Sequence, residues 1–315
     1  MRLAFFGTPD FAVPCLEALL RSNDEIACIV TQPDKPKGRG QELEPPAVKK
    51  AALLLAPSIP ILQPPSVRKP PFAPELAKFA PDLAVVVAYG KILPVDLLTT
   101  PRLGCINVHG SLLPRWRGAA PIQWAVLAGD KFSGVTTMQL DEGMDTGDML
   151  LKREVPLAED ETAGSLFERL APVGADLLIE TIDKLKKGSI KPTPQNHAAA
   201  THARMLEKDD GRIDWTQTAV EIDRKVRGMS PWPGAFTTAD GKLLKVHRVR
   251  LEHRHSKPPH PAGSIFAGKP NEMHVACGQG VIVLVEVQLE GAKRMPAEEF
   301  ARGKGAKLTT LGATR

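Results

Sequence analysis

The sequence predicts an α/β chain of two domains, a parallel sheet flanked by helices followed by a small β-barrel or sandwich. Three observations carry this reading. Over the first 190 residues, short β-branched and apolar runs alternate with helical stretches, the pattern of a sheet covered by helices. Residues 188–205 (GSIKPTPQNHAAATHARM) are poor in large apolar side chains and contain two prolines, as expected of an extended linker over a surface. Beyond them, segments alternate apolar and polar residues between Gly and Pro turns, which is antiparallel β patterning.

In chain order, strands are expected at Arg2–Gly7, Glu25–Gln32, Ile59–Leu62, Asp82–Ala88, Gly104–Val108 and Gly134–Leu140. Several are almost continuously apolar, as strands covered on both faces must be. Helices fit between them at Phe11–Arg21, Ala47–Leu55, Pro74–Ala80 and Ala119–Leu127. A long one, Ala163–Lys187, carries an apolar stripe through Leu166, Leu170, Val173, Leu177, Leu178, Ile182 and Leu185 and closes the first domain. Its basic end at Lys184, Lys186 and Lys187 suits the negative end of the helix dipole. After the linker come a helix at Ala219–Gly228, a Pro231-Trp232-Pro233 turn and strands at Leu243–Leu251, Glu272–Ala276 and Gly280–Leu289.

With 315 residues, 43% hydrophobic and 24% charged, the composition is that of a globular chain large enough for two cores. No run of about 18 apolar residues is present. MRLAFFGTPDF enters a strand and a turn without the apolar core of a signal peptide, so a soluble, cytoplasmic protein without membrane contact is expected. Cys15, Cys28, Cys105 and Cys277 are widely spaced in apolar contexts, offering neither zinc-ligand nor CxxC spacing, and no metal is required. The basic excess lies wholly at the C-terminal end: residues 201–315 hold 19 Lys and Arg against 13 Asp and Glu, residues 1–200 hold 22 against 23. A solvated basic surface and a surface that meets a polyanion are both compatible with that asymmetry.

Chemistry concentrates where the strand GCINVHG runs into SLLPRWRGAAPIQ. Asn107 and His109 are two residues apart, hence on one strand face, at the strand end where parallel sheets bind ligands. A lone histidine there is more often a hydrogen-bonded core residue, but the adjacent amide favours a functional pair. Asp145 lies in the Gly-punctuated acidic loop of GVTTMQLDEGMDTGD, which a neighbouring parallel strand would bring over His109. The alternatives for Asp141, Glu142, Asp145 and Asp148 are a solvated turn or a hard-cation site, although the alternation of a calcium loop is missing.

An amide, an imidazole and a carboxylate together suit acyl transfer to an amine. Such a reaction needs donors aimed at a developing oxyanion and a group that moves protons from the attacking to the departing nitrogen. Asn107 supplies the amide donor and protonated His109 a cationic one, while Asp145 holds that charge or relays a proton. No covalent nucleophile is needed, and no basic neighbour activates Cys105. Gly7-Thr8-Pro9-Asp10 follows the first strand without GxGxxG spacing, which argues against dinucleotide binding.

The stretch Ile106 to Ile122 (INVHGSLLPRWRGAAPI), with Gly134-Val135-Thr136 and then Asp141, Gly143, Asp145 and Gly147, resembles the folate-dependent formyltransferases. The resemblance extends through FGTPDF at 6–11, Thr31-Gln32-Pro33-Asp34, Gly38-Arg39-Gly40, Val87-Ala88-Tyr89-Gly90, Ile213-Asp214-Trp215 and Pro231-Trp232-Pro233, and so covers both domains. It implies a Rossmann-like catalytic domain at 1–188, a linker at 189–205 and an OB-like β-barrel at 206–315. It also implies 10-formyltetrahydrofolate as co-substrate, and the branch it points to formylates the α-amino group of methionyl initiator tRNA. On this carry-over Asn107, His109 and Asp145 are catalytic, and Ser111, Leu112, Leu113 and Pro114 line the folate site. The backbone around Tyr89, Gly90, Lys91 and Leu93 and around Met138 and Asp141 holds the pterin.

The insertion QPDKPKGRGQELEPP reads as a flexible cationic arm with Lys35, Lys37 and Arg39. In the resembling family it reaches the tRNA acceptor end, Arg39 standing at the contact position. Arg224, Lys225, Arg227, Lys242, Lys245, Arg248 and Arg250 are expected to track the tRNA backbone. His202 and Met205 stand where the family usually has Tyr and Lys, leaving Lys208 as a replacement cation. A monomer is expected.

Overall fold

Continuous apolar runs become buried central strands, and alternating ones become strands with a single covered face. The computed structural model describes residues 1–37, 42–254, 257–258, 260–267 and 272–312. They form two compact units, one of residues 1–121, 132–156 and 167–203, the other of residues 122–131, 157–166 and 204–315.

The first unit contains β1 (Arg2–Gly7), β2 (Glu25–Val30), β3 (Lys35–Lys37), β4 (Glu42–Glu44), β5 (Ile61–Leu62), β6 (Leu83–Val87), β7 (Cys105–His109), β8 (Arg117–Gly118), β9 (Phe132–Gln139), β10 (Met149–Pro156) and β11 (His202–Ala203). With them go α1 (Val13–Leu20), α2 (Ala47–Leu55), α3 (Ala73–Ala77) and α4 (Val95–Leu98). Seven strands form one sheet in the order β10-β9-β7-β6-β1-β2-β5. From β5 to β7 it is parallel, and β6 is buried along its whole length.

The sheet departs from the expected all-parallel arrangement at one side, because β9 runs antiparallel to β7, pairing His109 with Thr136 and Ile106 with Gln139, and β10 pairs antiparallel with β9. The side-chain period of two is the same in either strand direction, so the pattern cannot reveal this. Within the insertion expected to be a flexible arm, β3 and β4 pair antiparallel, with Lys35 in register with Glu44 and Lys37 with Glu42, while residues 38–41 lie outside the described residues. The base of the insertion is tied by Lys49, which donates to Asp34 Oδ2 (2.8 Å) and to Gln63 Oε1 (2.8 Å).

α5 (Pro121–Ala128) falls almost wholly in the second unit, where Trp124 Nε1 donates to the Arg204 carbonyl at 3.0 Å. α6 (Ala163–Lys186) begins in the second unit and continues into the first. Its expected stripe buries Leu166, Leu170, Leu177, Leu178 and Ile182. The second unit continues with α7 (Ala219–Gly228), β12 (Ala235–Ala239), β13 (Lys242–His253), β14 (Ile265–Ala267), β15 (Met273–Ala276), β16 (Val281–Leu289), β17 (Met295–Pro296) and α8 (Ala297–Arg302). A capping box starts α7: Thr218 Oγ1 accepts from the Glu221 N–H while Glu221 Oε2 accepts from the Thr218 N–H.

The antiparallel sheet runs β12-β13-β16-β15-β14, with β17 added to β16. The expected barrel takes the form of a curled half-barrel, and three register shifts between β13 and β16 supply the curl. Its core gathers Trp215, Ile222, Val226, Leu244, Val246 and Val287, with the Trp215 indole N–H satisfied by Thr237 Oγ1 at 3.0 Å.

One ion pair in this unit makes a measurable pH prediction. The Arg204 guanidinium grips Asp210, which also accepts from the Glu207 N–H at 2.7 Å, and these bonds push the Asp210 carboxyl down to about 2. Because the folded-state value lies below the ordinary one near 4, the contribution is complete above about pH 4 and fades as pH falls toward 2. Arg204 is half exposed, so Asp210→Asn is expected to cost about 1 kcal/mol at neutral pH. Thermal melts across pH check this: the gap from the parent protein closes in acid, and a gap constant with pH contradicts it.

Candidate active site

Strand pairing fixes the first two side chains. β7 lies between β6 and β9, with Val86 and Met138 flanking Asn107 and Thr136 beside His109. Asn107 and His109 therefore share a face; Asn107 is part-exposed and His109 is 6% exposed. Among the described residues no protein group hydrogen-bonds the Asn107 amide.

His109 Nε2 lies 2.9 Å from the Trp116 carbonyl. A carbonyl only accepts, so Nε2 carries the hydrogen. This leaves Nδ1 facing Asp145 Oδ2 at 3.7 Å, a gap too long for a direct hydrogen bond. Trp116 sits at φ +62°, a conformation bulky residues rarely adopt, and this turns its carbonyl toward the imidazole.

Asp145 arrives by a different route from the one expected. Since β9 is antiparallel, the loop after it departs from the opposite end of β7: the Leu140 N–H donates to the Cys105 carbonyl at 2.8 Å. The loop then doubles back, and Gln139 N–H closes its base on the Asp148 carbonyl at 2.9 Å. Gly147 permits that closure, because a Cβ there would lie 1.9 Å from the Gln139 carbonyl oxygen. Asp145 takes φ +55°, tolerable for aspartate, and its Oδ2 accepts the Gly118 N–H at 2.7 Å.

Around this pair stand residues that sequence reasoning missed. Arg117, 4% exposed, donates through Nε and Nη2 to Gln195 Oε1 at 3.0 and 2.7 Å and lies 3.2 Å from His197 Nδ1. Gln195 Nε2 donates to the Asp145 and Gly147 carbonyls at 2.9 and 2.7 Å. Thr201 Oγ1 accepts the Trp116 N–H at 2.9 Å, and β11 pairs with β8. The expected surface linker is thus stitched to the site as far as Ala203. Its polar composition signalled exposure, and burial of the glutamine is made favourable by the arginine and the two loop carbonyls that satisfy its amide.

Of the residues implied for folate, Tyr89, Leu93, Leu113 and Met138 turn their side chains inward. Burial raises the Tyr89 phenol to about 12, and among the described residues its hydroxyl has no hydrogen-bond partner. Gly90 is exposed, with φ +85°. Lys91 Nζ donates to the Pro64 and Pro65 carbonyls at 3.1 and 2.8 Å, and burial, then Lys35, push its pKa down. Ser111 Oγ donates to the Arg115 carbonyl at 2.6 Å, Leu112 and Pro114 are partly exposed, and Leu113 N–H reaches Thr136 Oγ1 at 3.1 Å. Asp141 caps its own loop, accepting from Gly143 N–H at 3.1 Å and Thr146 Oγ1 at 2.6 Å. Cys105 is a buried thiol pushed up to about 12 by burial, and Cys15, Cys28 and Cys277 are raised likewise. Among the described residues no cluster of three or more His, Cys, Asp and Glu could hold a metal ion, and no helix is long and apolar enough to cross a membrane.

The cations expected to meet tRNA divide into two groups. Lys35, Lys208, Lys242, Lys245 and Arg248 are exposed. The register shift at His247 sets Lys245 and Arg248 on the same exposed side, although they are three residues apart. Lys225, Arg227 and Arg250 are engaged within the protein, on the Asp210 and Arg212 carbonyls, on Asp223 and the Glu161 carbonyl, and on Glu252 and Glu272. Arg224 donates to the Ala128 carbonyl at 3.3 Å. Arg39 and the Lys37 side chain lie outside the described residues.

A mostly parallel sheet carrying a polar triad, followed by a curled antiparallel sheet, is an architecture that family models also recognise. The model described as "Formyl transferase" matches residues 1–182 and that described as "Formyl transferase, C-terminal domain" matches residues 205–305, so the chain belongs to the formyl transferase family and is an enzyme of that class. Within the family its similarity is specific. A protein of Agathobacter rectalis named methionyl-tRNA formyltransferase is 50% identical over 303 residues, 96% of each chain, and one of Myxococcus xanthus with the same name is 49% identical over 302 residues, 96% of this chain and 95% of that one. Solved structures share the fold at lower identity. WlaRD, a sugar 3N-formyl transferase, superposes with TM-score 0.67 at 17% identity, over 93% of this chain and 99% of that one. HypX from Aquifex aeolicus, solved in complex with tetrahydrofolic acid, gives 0.61 at 18% identity over 98% and 48%.

Proposed function

We propose that the chain transfers the formyl group of 10-formyltetrahydrofolate to the α-amino group of methionyl initiator tRNA, as the names of relatives near 50% identical over nearly the whole chain suggest. The supporting observation is the convergence of Asn107 and the His109–Asp145 pair on one face at the end of β7. Residues 1–188 carry the chemistry, residues 206–315 hold the tRNA and residues 189–205 join them. The enzyme works as a cytoplasmic monomer.

Direct transfer proceeds in two steps. The amine nitrogen bonds to the formyl carbon, and the carbonyl electron pair moves onto oxygen, where the Asn107 amide donates a hydrogen bond. With Nε2–H committed to Trp116, Nδ1 is the ring nitrogen that takes the amine's proton. The resulting imidazolium lies against the Asp145 carboxylate, and its positive charge stabilises the oxyanion electrostatically. When the carbon–N10 bond breaks, its electron pair returns to the folate nitrogen and the proton follows from Nδ1. Each donor at the oxyanion contributes about 3 kcal/mol to transition-state stabilisation.

Ser111, Leu112, Leu113 and Pro114, with backbone at Tyr89, Gly90, Lys91, Leu93, Met138 and Asp141, form the folate site. Inward side chains at Tyr89, Leu93, Leu113 and Met138 accord with main-chain recognition of the pterin. Lys35, Lys37, Arg39, Lys208, Lys245 and Arg248 contact tRNA phosphates, and Met205, 70% exposed, leaves a neutral gap there. Incubation with labelled 10-formyltetrahydrofolate and charged initiator tRNA is expected to yield formylmethionine. Formate release without acceptor would support a hydrolase instead, and formylation of an amino sugar but not of the charged tRNA would reassign the acceptor.

A further inference from the structure

The geometry points to Gln195 as a positioning residue for the formyl-transfer reaction, a clamp that sets the Asp145 loop against His109 from a segment that carries no reacting group. This rests on the reading of Asp145 given above. Gln195 is 5% exposed, and both ends of its amide are in use. Oε1 accepts twice from Arg117, and Nε2 donates to the Asp145 and Gly147 carbonyls. The first of these carbonyls belongs to the residue whose carboxylate stands 3.7 Å from His109 Nδ1.

The loop needs such a clamp. Asp145 lies in the left-handed region, and Asp141, Glu142, Gly143 and Met144 before it are exposed. Its side chain is held by one Gly118 N–H, and Gly118 itself belongs to the β8–β11 pair formed with the same returning segment. That segment reaches the histidine as well, because Thr201 holds Trp116, whose carbonyl fixes His109 Nε2–H. Residues 195–203 thereby couple the imidazole and the carboxylate, two groups supplied by different parts of the chain. Arg117 fixes the orientation of the clamp itself. Among the described residues it meets Gln195 and His197 and no carboxylate, so the amide is held with its oxygen toward the guanidinium and both N–H groups toward the loop.

Gln195→Glu separates clamping from folding. The carboxylate gives Arg117 an anionic partner and preserves shape, but it offers oxygens where the loop carbonyls require donors. In the full-length enzyme the variant is expected to melt close to the parent and to keep its KM for the formyl donor within about threefold. Its kcat is expected to fall roughly 30-fold, the scale of a displacement near 1 Å at a reacting group. Gln195→Met, which removes both ends of the clamp, should show the same split between kcat and KM. In an Asp145→Asn background Gln195→Glu should slow the enzyme no further, since the clamp acts through that carboxylate. A kcat within twofold of the parent, a loss confined to KM or melting temperature, or multiplicative losses in the double variant would overturn the assignment. Normal turnover of Asp145→Asn alone would instead remove the role of Asp145, and the clamp with it.

Discussion

Replacing His109 by alanine is expected, on the proposed mechanism, to lower turnover by roughly two to four orders of magnitude while affinity for the reduced folate stays within a few-fold. The size follows from what leaves with the ring. Nδ1 is the ring nitrogen that faces Asp145, because Nε2–H is committed to the Trp116 carbonyl. On the proposed mechanism its removal deletes the acceptor for the amine's proton and the positive charge beside the oxyanion, while the proposed Asn107 donor and substrate positioning persist. The truncation also strips the Trp116 carbonyl of one donor, a loss of about 1–3 kcal/mol if water does not replace it. Single-turnover transfer, equilibrium folate titration and a melting curve on the same preparation separate these effects. Near-normal single-turnover rates would end the assignment of His109.

Much of this site was legible in the primary structure. Two-residue spacing puts Asn107 and His109 on one face whatever the neighbouring strands do. Almost continuous apolar runs identify β1, β2 and β6 as central, and all three are buried along nearly their whole length. The stripe of α6 survives as well, since a helix with so strong a face has one way to bury it. These features depend on local periodicity, which strand order and direction leave intact.

Features that depend on tertiary pairing were not legible. Asp145 was expected beside His109 by way of a parallel neighbour, yet β9 is antiparallel and the loop doubles back to reach it. Gln195 stands in a polar, proline-containing segment that signals exposure, yet it is buried where Arg117 and the Asp145 and Gly147 carbonyls satisfy its amide. In the cationic insertion, likewise, β3 and β4 pair so that Lys35 and Lys37 stand in register with Glu44 and Glu42. Cross-strand register is a relation between segments, so charge alone, read along the chain, describes it as a flexible arm. Lys225, Arg227 and Arg250 in the second unit show the same dependence on tertiary pairing, since their bonds to carbonyls and carboxylates come from segments distant in sequence as well as near ones.

Asp145→Asn tests charge with geometry held constant, and turnover is expected to fall about a hundred- to thousandfold. Asparagine occupies the same volume and tolerates the φ of +55° that most residues resist. Its orientation is dictated by the Gly118 N–H, which donates to Oδ2 at 2.7 Å and therefore requires an oxygen at that position. The same oxygen stands 3.7 Å from His109 Nδ1, so the variant presents a neutral acceptor where the parent presents an anion. The bonds from the Gln195 side-chain Nε2 to the Asp145 and Gly147 carbonyls do not involve the Asp145 side chain and hold the loop in both proteins. With shape, loop and Gly118 contact retained, the lost rate measures how far the carboxylate stabilises the imidazolium while the amine's proton resides on it. The carboxylate stands 3.7 Å from Nδ1, close enough to act through space on a charge carried by the ring, and the drop in turnover sizes that contribution. Turnover within threefold of the parent, with unchanged melting, would show that His109 completes the proton transfer without an anionic partner.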